Sequence, residues 1–125
     1  MNNISGVYSV VMAVLVFLCI NLLISSAYAH PPKGMELGYD EQAKTLTVTI
    51  SHPTYFPSKH HISAVEIKKN GTVIKTETYD EQPDQDEFAF TYEIDASADD
   101  VLEVTADCNI FGSKTASMTV GASEQ

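Results

Sequence analysis

Residues 62–78 read ISAVEIKKNGTVIKTET, and this stretch decides the fold. Val65 and Ile67 alternate with polar neighbours across Ile62 to Lys69, which is the period-two pattern of a half-buried strand. Asn70-Gly71 follows at once, and Thr72 to Thr78 resumes β character. Asn-Gly between two such runs is the strongest short-range hairpin signal, because a type I′ turn needs positive φ at both central residues. Upstream, Thr45 to Ser51 (TLTVTIS) alternates strictly, with Leu46, Val48 and Ile50 on one face. Downstream, Tyr79 to Asp86 (YDEQPDQD) reads as a charged, solvated loop, and Phe88, Phe90, Tyr92 and Ile94 share one face of the next strand. Ser97 to Asp100 turns the chain, and Val101 to Ala106 and Thr115 to Val120 supply two further strands. With a short strand near Met35 to Tyr39 the count is about seven, which predicts an all-β domain, either an immunoglobulin-like sandwich or a related Greek-key barrel.

The chain has 125 residues, enough for one small domain. Acidic residues number 17 against 7 basic ones, giving a net charge of −10, and every cation is a Lys. That balance excludes nucleic acid as a partner, which requires a cationic footprint. At 44% hydrophobic the chain is not a disordered polyanion either.

Residues 7–24 (VYSVVMAVLVFLCINLLI) are almost wholly apolar and lead into Ser25-Ser26-Ala27-Tyr28-Ala29. The small-x-small ending suits signal peptidase, so residues 1–29 are expected to be a signal peptide and residues 30–125 the mature domain. The competing reading is an uncleaved anchor, in which case this segment is the chain's link to a membrane. Either way the domain is expected in the periplasm or outside the cell. Cleavage leaves His30 at the N-terminus and Cys108 as the lone cysteine, an unusual count for an oxidising compartment.

The mature domain has four His: His30, His52, His60 and His61. All fall in loops or at strand ends, and Cys108 ends the sixth strand before Asn109-Ile110-Phe111-Gly112. Any one of these alone reads as solvated surface, and Cys108 alone as a buried structural thiol. Loops from one pole of a sandwich can nevertheless converge, and imidazole with thiolate suits zinc, copper or iron.

His52-Pro53, a short loop and then His60-His61-Ile62 resembles the iron-binding segment of superoxide reductases of the desulfoferrodoxin and neelaredoxin family. Cys108-Asn109-Ile110-Phe111-Gly112 stands where that family has Cys-Asn-x-His-Gly, and His30-Pro31-Pro32, 22 residues before His52, stands where it has its first ligand. The resemblance implies a seven-stranded immunoglobulin-like domain with one ferrous iron. It also implies equatorial ligands His30, His52 and His60, with His61 as the substitute for His60 because the intervening loop is longer than usual. Cys108 would be the axial thiolate. Phe111 replaces the fourth family His and cannot ligate a metal, which leaves reduced or lost activity open. Lys59, beside His60, is the candidate catalytic cation that attracts superoxide. The implied reaction is one-electron reduction of superoxide to hydrogen peroxide, fed by an external electron donor.

Two other function classes compete. A free N-terminal His30 offers amine and Nδ1 to copper, and with His52 or His60 would make a non-catalytic metal-binding site that has no need of Cys108. A purely structural immunoglobulin-like module would use the acidic stretch from Asp80 to Glu87 as its surface, although that run lacks the spacing of a Ca²⁺ loop. Nucleophilic chemistry at Cys108 has no supporting spacing.

Overall fold

The computed structural model describes residues 4–22 and 30–122, with the backbone alone described for 18–22. The cleavage site expected at Ser25 to Ala29 lies outside the described residues. Helix α1 (Ile4–Leu22) presents exposed Val7, Tyr8, Val10, Met12 and Phe17. Among the described residues, no helix is long and apolar enough to cross a membrane.

Seven strands follow: β1 (Gly34–Asp40), β2 (Thr45–Ser51), β3 (Ile62–Lys69), β4 (Thr72–Thr78), β5 (Glu87–Glu93), β6 (Val101–Cys108) and β7 (Ser113–Thr119). They form two antiparallel sheets, ordered β1-β2-β5 and β4-β3-β6-β7, and the protein is a β-sandwich. The alternation dictates the layers. Leu46, Val48 and Ile50 of β2 face Val65 and Ile67 of β3 and Leu102, Val104 and Ala106 of β6 across one buried core. Leu46, Ile50, Ile67 and Leu102 have no exposed surface, so each contributes roughly 1.5–3 kcal/mol by burial. Phe88, Tyr92 and Ile94 complete the core from β5 and its end.

Strand limits differ most from the sequence reading at the end of β6 and the start of β7. β6 runs on through Asp107 to Cys108 because Asp107 pairs with Ser113, so β7 starts two residues earlier than its apolar pattern suggests. Cys108 is thereby in phase with Leu102, Val104 and Ala106, facing inward.

The expected turn is present: Asn70 and Gly71 have φ of 51° and 83°. Asn70 does more than turn the chain. Its side chain accepts from Val101 N at 2.9 Å and donates to Asp100 Oδ1 at 2.8 Å, tying the β3–β4 hairpin to the start of β6. Hydrogen bonds from the Asn70 amide and the Ser97 backbone N–H hold the Asp100 carboxyl below the usual carboxylate range.

A depressed carboxyl stabilises the fold above its unfolded-state pKa and loses that contribution as pH falls through the folded one. Replacing Asn70 by Gly keeps the positive φ and removes the tie. The stability gap between parent and Asn70→Gly should therefore be widest at neutral pH and narrow in acid, as read by urea unfolding. Asn70→Ala should lose about 1–2 kcal/mol more at every pH, because a Cβ is strained in the left-handed region.

Candidate metal centre

Register brings the sequence candidates together. Gly34 pairs with Ser51, which sets the segment before β1, including His30, alongside His52 at the end of β2. Ile62 pairs with Cys108, which sets the residues before β3 beside the end of β6. The connection from Ser51 to Ile62 crosses from one sheet to the other, so its two ends carry His52 and His60 to the same pole. There, one donor atom each from His52, His60 and Cys108 lies within 4.8 Å of the others. His52 has no exposed surface and Cys108 is 9% exposed.

His30 borders this group, its ring centroid 5.6 Å from those of both His52 and His60. The His52 and His60 rings meet edge to face at 4.7 Å. His61 turns the other way. Its Nε2 sits 3.2 Å from the Tyr79 carbonyl oxygen, and the Tyr79 ring stacks on Phe90 at 4.2 Å. Phe111 is exposed and does not line the opening, whereas Ile110 does. Lys59 is exposed and also lines that opening, a cavity of about 810 Å³ walled by His30, His60, Tyr55, Phe56 and Ile110.

The donors suit a metal. His60 Nε2 is buried with no hydrogen-bond partner, which is costly unless something binds it. Burial, with the nearby imidazoles of His52, His30 and His61, pushes His60 below its ordinary pKa, which favours the neutral ring that a metal needs. Metal–nitrogen and metal–sulfur bonds are about 2.0–2.3 Å, so donors bound to one ion lie at most ~4.6 Å apart. The trio reaches that span with minor adjustment. Two imidazoles and one thiolate favour zinc, copper or iron over magnesium or calcium.

Backbone hydrogen bonds hold the trio. Asn109, next to Cys108, donates from Nδ2 to Lys59 O at 2.9 Å and accepts at Oδ1 from His61 N at 2.9 Å. Its own N–H donates to His61 O at 3.0 Å. One side chain thus clamps the backbone on both sides of His60 to the residue following the cysteine. Cys108 N donates to Gly112 O at 2.9 Å, which closes the turn beyond it. Gly112 has φ of 86°, and a Cβ there would lie 2.8 Å from Pro31 Cβ. The glycine lets the cysteine turn pack directly on the segment that carries His30.

Sequence reasoning missed Asn109 as a clamp and Gln82 altogether. Gln82 lies in the stretch read as a solvated loop, yet it is only 3% exposed and reaches under the site to His52. Asp80, Glu81, Asp84 and Asp86 around it are exposed, as expected. A single inward Gln in a charged run leaves no periodic signature.

No protein-family model matches the chain, and no curated protein is similar to it. Solved structures of superoxide reductase (neelaredoxin) from Ignicoccus hospitalis resemble it. One aligns at 22% identity and a TM-score of 0.43, covering 78% of this chain and 85% of that one. Two variant forms of the same protein align at 21% identity with TM-scores of 0.44 and 0.45, covering 84% and 83% of their own chains.

Gly112→Ala combines strain at positive φ with the clash on Pro31. It should cost about 2 kcal/mol or more by thermal unfolding and shift the NMR signals of His30 and Pro31. A variant as stable as the parent would show that the two segments do not pack as described.

Proposed function

We propose that this chain is an exported, mononuclear non-haem iron protein that reacts with superoxide in the manner of superoxide reductases. His52, His60 and Cys108 are its metal ligands, with His30 at the rim. The observation that carries this reading is the convergence of two imidazoles and a buried cysteine sulfur, with His60 of the trio lining an open cavity. The ordered motifs His30-Pro31-Pro32, His52-Pro53, His60-His61-Ile62 and Cys108-Asn109 support iron over other metals. The sheet order supports an immunoglobulin-like sandwich. The apolar run before Ala27-x-Ala29 supports export to the periplasm or beyond.

When bound, ferrous iron supplies the one electron that, with two protons, turns superoxide into hydrogen peroxide. The chain's own residues do the rest. Cys108 supplies a fixed anionic donor from the rigid end of β6. His52 and His60 supply imidazole nitrogens. Tyr55, Phe56 and Ile110 form an apolar wall around the opening, and Lys59 places a cation on its rim. In this reading a separate one-electron donor delivers the electron. Phe111 supplies no imidazole, so the donor set is poorer than the family's and the reaction should be slower than theirs.

Protein exported so that its N-terminus is native should bind one iron after anaerobic Fe(II) loading. On oxidation it should show a visible thiolate-to-iron band that disappears in Cys108→Ser. Copper binding that survives Cys108→Ser but is lost when His30 is blocked would instead favour the non-catalytic chelate at His30. Absence of any stoichiometric metal would leave a structural β-sandwich.

Lys59 makes no close ion pair among the described residues, so its ammonium stays at the opening. By stopped-flow, Lys59→Met should slow the bimolecular reaction with superoxide several-fold at low salt. The gap should close as salt screens the ammonium.

A further inference from the structure

The buried side chain of Gln82 is fully committed. Its Nε2 donates to His52 O and Asp84 O, each at 2.8 Å. Its Oε1 accepts from Ile62 N at 3.2 Å and lies 2.7 Å from His52 Nδ1. Three of these four partners have fixed polarity, because two are carbonyl oxygens and one is a backbone N–H. They settle which way the amide faces. Oxygen must then point at His52 Nδ1, and that nitrogen must carry the proton.

The other ring nitrogen faces a competitor. His52 Nε2 lies 3.3 Å from the His30 carbonyl oxygen. In the neutral ring that metal binding requires, two acceptors therefore compete for the single proton, one on each side. Were His30 O to win, Nε2 would be an N–H and could not bind a metal. The Gln82 contact is shorter, and the amide is held by three further hydrogen bonds, so Gln82 wins.

We infer that Gln82 is a positioning residue that fixes His52 in its Nδ1–H tautomer and so turns the Nε2 lone pair toward His60 and Cys108. This rests on the metal-site reading above only for what the lone pair receives. The tautomer itself is a property of the metal-free protein. Outer hydrogen bonds of this kind typically change metal affinity by about 10–100-fold.

The test uses full-length protein with ¹⁵N-labelled histidine. In the metal-free parent, NMR should show His52 Nδ1 protonated and Nε2 not. Gln82→Met fills similar space without an acceptor and should move the proton to Nε2, where it donates to His30 O. Cobalt(II), whose thiolate charge-transfer band reports Cys108, should bind Gln82→Met about 10–100-fold more weakly than the parent. Gln82→Glu keeps the acceptor for His52 Nδ1–H but cannot donate to the two carbonyls. It should retain the parent tautomer and recover most of the affinity, even if less stable. An Nε2–H tautomer in the parent, or a proton that stays on Nδ1 in Gln82→Met, would overturn the inference. So would Gln82→Glu losing the tautomer as completely as Gln82→Met. If the parent has the expected tautomer but binds no cobalt, the positioning role stands and the metal reading fails.

Discussion

Two apolar sheet faces must lie about 10 Å apart to bury their side chains. The chain that leaves β2 at Ser51 and enters β3 at Ile62 has to climb that distance, since these strands belong to different sheets. A connection that bridges the layers is pinned at both ends by hydrophobic packing, at Ile50 on one side and Ile62 on the other, neither with exposed surface. His52 and His60 sit just inside those pins. Their separation is thus set by core packing and not by the loop between them, whose Tyr55 and Phe56 stay exposed. The same core fixes Cys108, because it continues the inward face of β6. Three donor side chains on such anchors are held together by the fold itself.

Burying polar groups at this pole creates an obligation that the sequence meets with two carboxamides. Open backbone groups around the crossing connection would each cost about 1–3 kcal/mol if left unpaired. Gln82 satisfies His52 O, Asp84 O and Ile62 N, while Asn109 satisfies Lys59 O and His61 N. Carboxamides are suited to this because each both donates and accepts while remaining uncharged. A carboxylate in either place would have to face carbonyl oxygens. The two imidazole nitrogens left without partners, His60 Nε2 and His61 Nδ1, are the exceptions.

Strands and hairpin were legible because they depend on local rules: alternation marks Leu46, Val48 and Ile50, and Asn70-Gly71 needs only its own φ values. The donor residues were legible as types, since every His and the mature domain's Cys fell outside strand interiors. Which imidazoles converge was not legible, because His60 and His61 are adjacent and their directions follow from the β-bulge between Ile62 and Ala64 and from the Asn109 clamp. Gln82 was invisible for a similar reason. Its neighbours are acidic and exposed, and its inward turn is dictated by partners that are distant in sequence, His52 being 30 residues away.

Charge sets a final constraint on the proposed chemistry. A net −10 surface repels an anion at long range, yet beyond about 8–10 Å physiological salt removes most of that repulsion. What an approaching anion meets is therefore the local rim. Four ion pairs among the described residues engage Lys44, Lys68 and Lys75, all away from the cavity. Lys59 remains at the opening, with Asp86 on the same wall. The two charges oppose each other, so the rim is close to neutral and the bound cation would supply most of the attraction. Such a site favours reaction governed by contact with the metal over long-range electrostatic capture. Its selectivity for a small anion would then come from the confined, apolar approach past Tyr55, Phe56 and Ile110, and not from the field of the whole protein.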